Sequence, residues 1–351
     1  MKKIVFLGDT LLNDEPLGIQ RYAYEILKKL DCNPDSSNYE LLIPKKSKCS
    51  ISFRHIRIVP FGNLNPGFLW RQLCFPEYIR KNHAISVDLT LGLSFRGSDI
   101  VCLHDCVYEN YPQDFIGWKA KLKRHSYLIR ARIAVKKAKR IITVSNTSKK
   151  ELMEHYPIED SKITVIYNAW QHFNRIQQDD RILSKLHLQE KTYCFSLGSG
   201  LPHKNFKWII MAALENPEYT FVVTGTNRLS KYLSELQIEN VPNLIFTGFL
   251  SDGEVKALMM SCVLFLHPSV YEGFGIPPLE ALSCGAKVAV SNLTCLPEIY
   301  QDSAVYFDPY QYDNINIDRL IAEVQYISRD VLQQYDWGKS ACLLRELITS
   351  L

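Results

Sequence analysis

Short apolar runs alternate with helical patterns along the whole chain. In the first half the runs KIVFLG, YELLIP, IRIV, VDLTLG, DIVCLH, RIITVS and KITVIYN are separated by GIQRYAYEILKKL, FLWRQLCFPEYIRKN, the basic stretch 118–140 and NTSKKELMEHY. Most runs are apolar throughout, the pattern of strands covered on both faces in a parallel sheet. The repeated strand–helix order predicts a doubly wound α/β domain over residues 1–168. Residues 169–190 are polar, carry no strand pattern and predict a linker. The alternation resumes over 191–330 with TYCFSLG, YTFVVTG, NLIFTG, VLFLHPS, KVAVS and AVYFDP, which predicts a second doubly wound domain. Residues 331–351 predict a C-terminal helix that adds no strand. Two such domains would face a central cleft between the carboxyl ends of their sheets, where open α/β sheets bind ligands.

Length and composition sharpen this picture. A chain of 351 residues exceeds the size at which one hydrophobic core stops growing. A formal charge of +4 is too small to imply a nucleic-acid binder. The ten cysteines are scattered, without C-x-x-C pairs, the usage of reduced, buried thiols in a cytosolic protein. Cys102 and Cys106 form a lone C-x-x-x-C that no second pair completes into a zinc site. The N-terminal run in MKKIVFLGDT ends at Asp9, at strand length, so it reads as a first strand and not as a signal peptide. No run of about 18 apolar residues occurs, so the expected location is cytoplasmic.

Candidate chemistry lies in loops that follow strands. The stretch YEGFGIPPLEALSCG, residues 271–285, carries Glu272 and Glu280 with seven residues between them. Gly273 and Gly275 let the backbone approach a ligand, and Pro277 or Pro278 suits a first helical turn. The result is free amides at a helix N-terminus, suited to an anionic or hydroxyl-rich ligand gripped by a carboxylate at each end. The plainer alternative has Glu280 serving the helix dipole and Glu272 solvated. A second loop, GSGLPHKNF (198–206), brings glycines and then Lys204 to the start of a helix, a phosphate cradle with a point charge. It lacks the GxxxxGK[ST] pattern of a P-loop. A third glycine turn, PLGIQRY (16–22), follows the first strand.

Together these pieces resemble glycosyltransferase family 4, retaining sugar transferases of the GT-B fold. The resemblance rests on PSxYEGFGxPxLEAxxCG from Pro268 to Gly285, with GIxRY near Gly18, HD at 104 and 105, TVS at 143–145, P-x-KN at 202–205, TGF at 247–249 and LPE at 296–298. It implies two Rossmann-like domains, with the last helix packing back on the first. It also implies a nucleotide-sugar donor. Glu280 would accept hydrogen bonds from the ribose diol and Glu272 would hold donor-sugar hydroxyls beside the amides of Gly273, Phe274, Gly275 and Ile276. Lys204 would neutralise the departing diphosphate, Phe249 and Leu250 would border the base, and Gly18 would let the backbone close over the phosphates. His104 would assist from the acceptor side. Many family members carry an arginine in the phosphate loop, where this chain has Ser199 and His203, so His203 would supply a titratable second cation. No clear D-x-D motif is present, so neither metal nor cofactor is expected. The segment NAWQHF and the PHKNF loop look closest to mannosyl and rhamnosyl transferases of bacterial surface polysaccharide synthesis.

Three rival readings stand beside this one. A two-domain binding protein would need neither the paired glutamates nor Lys204. A glycoside hydrolase using Glu272 and Glu280 would leave the phosphate loop without purpose. A phosphorylase or synthase shares the fold. The basic stretch adds an expectation about the acceptor: residues 119–140 hold ten Lys or Arg and no acid, while Leu122, Ile129 and Ile133 can share a helical face. The plainest reading is a solvated helix. Nucleic acid is disfavoured because no stacking aromatics interleave beyond Tyr127. The preferred expectation is a membrane patch, Lys119, Lys121, Lys123 and Arg124, that holds the enzyme at the inner face of an anionic bilayer near a lipid-linked oligosaccharide acceptor.

Overall fold

The computed structural model describes residues 2–12, 18–198, 201–225, 229–324 and 330–351. The chain divides into two compact units, the first made of residues 1–168 with 337–351, the second of residues 169–336. The first unit holds seven strands: β1 (Ile4–Leu7), β2 (Tyr39–Pro44), β3 (Arg57–Phe61), β4 (Ile85–Asp88), β5 (Ile100–Cys102), β6 (Arg140–Thr143) and β7 (Ile163–Val165). They form a parallel sheet in the order β3-β2-β1-β4-β5-β6-β7. The second unit holds β8 (Tyr193–Leu197), β9 (Thr220–Thr224), β10 (Leu244–Phe246), β11 (Leu264–His267), β12 (Val288–Ser291) and β13 (Val305–Phe307). Their order, β10-β9-β8-β11-β12-β13, repeats the winding of the first sheet, again all parallel. Each sheet therefore has one point where the winding reverses, between β1 and β4 and between β8 and β11, and loops leaving those strands are the natural ligand loops.

Buried apolar side chains explain the strand runs. β1, β2, β4 and β5 are buried at every position, as are β11 and β12. In the second unit Trp208, Ile209 and Ile210 of the helix Phe206–Glu215 pack on Phe221 and Val223 of β9. In the first unit Tyr127, Ala131 and Ala134 of the helix Trp118–Lys137 pack on Val101 and Ile141 of the sheet.

Three sequence expectations change. The run VDLTLG is a strand only to Asp88. The Asp88 carboxylate accepts the N–H groups of Thr90, Gly92 and Leu93 at 2.8–3.1 Å, which bends the chain into a loop with Leu91 and Leu93 at φ 57° and 44°. The stretch 169–190 is no free linker but part of the second unit. There Trp170 Nε1 donates to the Leu332 carbonyl at 2.8 Å, and Lys256 Nζ caps the carbonyls of Phe173 and Ile176. The tail is two helices, Asp330–Gln334 in the second unit and Trp337–Thr349 in the first. In the first unit Trp337 packs on Tyr22 of the helix Ile19–Leu30, with ring centroids 6.1 Å apart, and Ser340 Oγ donates to the Tyr167 carbonyl.

Candidate active site

The second unit gathers its charged groups on the loops after β8 and β11. The loop after β8 turns through a short 3-10 helix, Pro202–Lys204, into the helix Phe206–Glu215, with Asn205 left-handed between them at φ 53°. Ser199 lies outside the described residues. His203 is half-buried, and its carbonyl accepts from the Val270 N–H at 2.8 Å, tying this loop to the one after β11.

Across that tie Lys204 Nζ donates to Glu272 Oε1 at 2.5 Å. His267, the last residue of β11, donates Nε2 to the same oxygen at 2.8 Å. Burial by itself would raise the Glu272 pKa, but the Lys204 charge and the His267 hydrogen bond outweigh it and hold the carboxyl well below the usual range. Glu272 is therefore an ionised carboxylate in a low-dielectric pocket, compensated by one lysine and one imidazole. Its backbone is fixed as well: the Glu272 N–H donates to Thr294 Oγ1 at 3.3 Å, and Cys295 Sγ donates to its carbonyl at 3.2 Å. Thr294 sits at φ 54°, a left-handed conformation that a β-branched residue adopts only under strain.

Gly275, at φ 79°, caps the helix Ile276–Ser283, and a Cβ there would lie 2.8 Å from Leu296 Cδ2. The Gly275 carbonyl accepts from Tyr300 Oη. Pro277 occupies the first turn, whereas Phe274 turns its ring inward, edge-on to Tyr335 at 5.2 Å. Glu280 lies on the second turn of this helix and not on the first. It is buried, and His172 Nε2 donates to its Oε1 at 2.7 Å. Past β10, Phe249 is 82% exposed and Leu250 half-buried, beside Gly248 at φ 75°.

The first unit offers a different set. Gly18 caps the helix Ile19–Leu30 at φ 50° and ψ −112°, while Pro16 and Leu17 lie outside the described residues. His104, two residues past β5, is buried and donates Nε2 to the Leu89 carbonyl at 2.9 Å, with the Tyr22 ring edge-on at 4.9 Å. A carbonyl only accepts, so Nε2 carries the proton and Nδ1 holds the lone pair. Burial pushes the imidazole down to about 4 and keeps it neutral. Asp9, just past β1, is also buried, and burial pushes its carboxyl up to about 6 even with Arg71 Nε 2.8 Å away. Of the basic patch, Lys119, Lys121 and Lys123 are exposed, whereas Arg124 turns inward and donates Nε to the Tyr108 carbonyl at 2.5 Å.

The structure thus brings Lys204, Glu272 and the loop 273–276 together in the second unit. It also adds three residues to which the sequence assigned no role: His172, His267 and Thr294. His267 had a legible signal, a polar residue ending an apolar parallel strand just before a glycine loop. The pairings of His172, which lies in the segment NAWQHF, and of Thr294 had none, because their partners are 108 and 22 residues away.

Residues 178–341 match the family described as "Glycosyl transferases group 1", and residues 55–170 match "Glycosyltransferase Family 4". O-antigen chain mannosyltransferase B of Escherichia coli is 24% identical over 349 residues, covering 90% of this chain and 88% of that protein. O-antigen chain mannosyltransferase RfbU of Salmonella typhimurium is 27% identical over 213 residues, covering 60% of this chain and 56% of its own length. Sucrose-phosphate synthase from Thermosynechococcus elongatus superposes with a TM-score of 0.75 at 14% identity, covering 100% of this chain and 99% of its own, a likeness of fold.

Proposed function

The chain belongs to glycosyltransferase family 4 and has the GT-B fold, and from that premise we propose that it moves a hexose or deoxyhexose from a nucleotide sugar to a lipid-linked saccharide in bacterial surface polysaccharide synthesis. The observation that carries the reading is the Lys204–Glu272–His267 cluster beside the amides that open the helix Ile276–Ser283. It offers a cation for a diphosphate and an ionised carboxylate for sugar hydroxyls in one small volume. Mannose is the preferred sugar, supported by the O-antigen mannosyltransferases among the relatives.

Each residue takes a role its chemistry permits. Glu280, steadied by His172, accepts from the ribose diol, and exposed Phe249 with Leu250 borders the base. Lys204, with His203 nearby in sequence, neutralises the charge that grows on the diphosphate as it leaves. Glu272 and the amides of Gly273, Phe274, Gly275 and Ile276 hold the sugar. Gly18 lets backbone approach the phosphates, and neutral His104 orients the acceptor hydroxyl without serving as a strong base. In the transfer step the bond from the anomeric carbon to the diphosphate oxygen breaks and the bond to the acceptor oxygen forms on the same face. The acceptor proton passes to the leaving phosphate oxygen, with no metal ion in the step. The exposed lysines Lys119, Lys121 and Lys123 hold the enzyme against the anionic inner face of the cytoplasmic membrane.

The test begins with thermal shift against UDP, GDP and dTDP, where a ligand at 100 times its Kd adds roughly 2.7 kcal/mol. The nucleotide that stabilises the protein selects the donor panel, and transfer is then followed in the presence of a chelator. NMR of the product linkage should show the donor's anomeric configuration. An inverted product, or transfer abolished by the chelator, would refute the mechanism.

A further inference from the structure

The helix Trp118–Lys137 packs on the first unit through Tyr127, Ala131, Ala134 and Val135. Its outward side is not the purely polar surface that a solvated helix requires. Trp118 is 72% exposed, Leu122 61% and Ile129 39%, and Ile116 just ahead of the helix is 72% exposed. At about 3.6 residues per turn, positions 118, 122 and 129 fall within about 40° of one another and about 140–180° from Tyr127. An apolar line therefore runs along the side directly opposite the core. Gly117, at φ 85°, caps the helix, and exposed Ile116 precedes it in the chain.

The charges around the line select its partner. Residues 119–140 contain ten Lys or Arg and no acid. Several cations are spent within the unit: Arg124 on the Tyr108 carbonyl, Arg130 on the Gly92 carbonyl, Lys137 on the Phe95 carbonyl and Lys139 on Asp99. Lys119, Lys121, Lys123 and Arg132 are exposed around the apolar line, with Lys119 Nζ 5.5 Å from the Trp118 ring. A protein face complementary to this one would need acids arrayed around an apolar ridge. An anionic bilayer meets the same need without a matched sequence: headgroup phosphates for the lysines, and the acyl boundary for Trp, Leu and Ile. Among the described residues no helix is long and apolar enough to cross a membrane, so the contact is interfacial.

We propose that Trp118, Leu122 and Ile129, with Ile116, insert into the headgroup zone of an anionic bilayer while the surrounding lysines hold its phosphates. The inference deepens the membrane-side reading above and rests on it for the partner, but it adds a distinct consequence. Adsorption by lysines alone is screened within a Debye length of about 10 Å at 0.1 M salt and vanishes as salt rises. Inserted apolar side chains leave a salt-resistant remainder.

The experiment uses the full chain with vesicles of phosphatidylcholine, alone or mixed with phosphatidylglycerol, read by sedimentation and by tryptophan emission. The wild type should bind the mixed vesicles, keep a bound fraction at high salt and shift its emission to the blue. Trp70, Trp208 and Trp337 are fully buried and half-buried Trp170 donates Nε1 to the Leu332 carbonyl in the second unit, so a shift that vanishes in Trp118→Ser belongs to Trp118. The triple variant Trp118→Ser, Leu122→Ser, Ile129→Ser keeps every cation and should partition on the order of tenfold less, with no salt-resistant fraction. An unchanged melting temperature would exclude a folding defect. If the triple variant binds like the wild type and emission does not move, insertion is wrong and electrostatic adsorption alone survives. Wild type that ignores both vesicles overturns the insertion and the membrane reading together. A dimer in light scattering that the triple variant abolishes would show that a second copy covers this face, and would also overturn it.

Discussion

The two units share a winding order but differ in how they treat charge at the carboxyl ends of their strands. In the second unit the carboxylates are paired: Glu272, held ionised, with Lys204 and His267, and Glu280 with His172. In the first unit burial pushes the His104 imidazole down to about 4 and so keeps it neutral, and raises the Asp9 carboxyl to about 6 beside Arg71. The difference teaches what each surface can exchange. Under the proposed function an anionic ligand would replace Glu272 on Lys204, trading one ion pair for another. The first unit offers at His104 an imidazole that adds no charge.

The sharpest way to break this comparison is Glu272→Gln. Transfer should fall by about 100-fold or more, as for loss of a group that acts on the reacting sugar. The affinity for the bare nucleoside diphosphate should rise several-fold, because Lys204 no longer has an internal carboxylate to leave. Calorimetry with the preferred nucleotide decides it, and an unchanged or weaker affinity would mean that Lys204 keeps Glu272 when the ligand binds.

Glu280 provides the contrast inside the same unit, since its partner His172 is a prop and not a competitor. Glu280→Gln should weaken the bare nucleotide by about tenfold, the value of a hydrogen bond to a charged group. His172→Gln should cost less, about threefold, and the double variant no more than Glu280→Gln alone. Additive losses would show that the two act independently.

A smaller effect tests the neutral side. His104 stays uncharged in the fold down to about 4 but takes up a proton near 6.5 when unfolded, so its contribution to stability is complete above 6.5 and is lost as pH falls toward 4. Asp9 runs the other way. Its carboxyl keeps a proton up to about 6 in the fold and only to 3.8 unfolded, so its contribution is complete below 3.8 and is lost as pH rises through 6. The two oppose each other between about 4 and 6. In Asp9→Asn only the His104 effect remains, and relative to wild type the Tm should drop more steeply as pH is lowered from 6.5 to 4. Parallel Tm profiles would show that Asp9 is ionised in the fold.

Much of this was legible in the residues. Every strand run marks a strand of one of the two sheets, because residues buried on both faces must be apolar at every position. The glycines and prolines of 271–285 announced a tight turn into a helix, which Gly275 and Pro277 make. The run VDLTLG misled because Leu89 and Leu91 are as apolar as strand residues, and only the hydrogen bonds to Asp88 bend the chain away. The stretch 169–190 misled because its few anchors, Trp170, Phe173 and Ile182, are too sparse to show a period.

The sequence by itself determined the alternation of strands and helices, the glycine turns, the acids and cations offered at strand ends, and the family, since all of these depend on residue type and local spacing. Tertiary structure alone decided which of those groups meet. Glu272 finds Lys204 because β8 and β11 are neighbours in the sheet although their loops lie 68 residues apart, and Glu280 finds His172 because a polar stretch folds back onto the second unit. It also decided that the apolar residues of a basic helix face outward, because the opposite side of that helix was already taken by Tyr127, Ala131 and Ala134. A one-dimensional pattern can show that a helix has two sides, but only packing selects which side is buried.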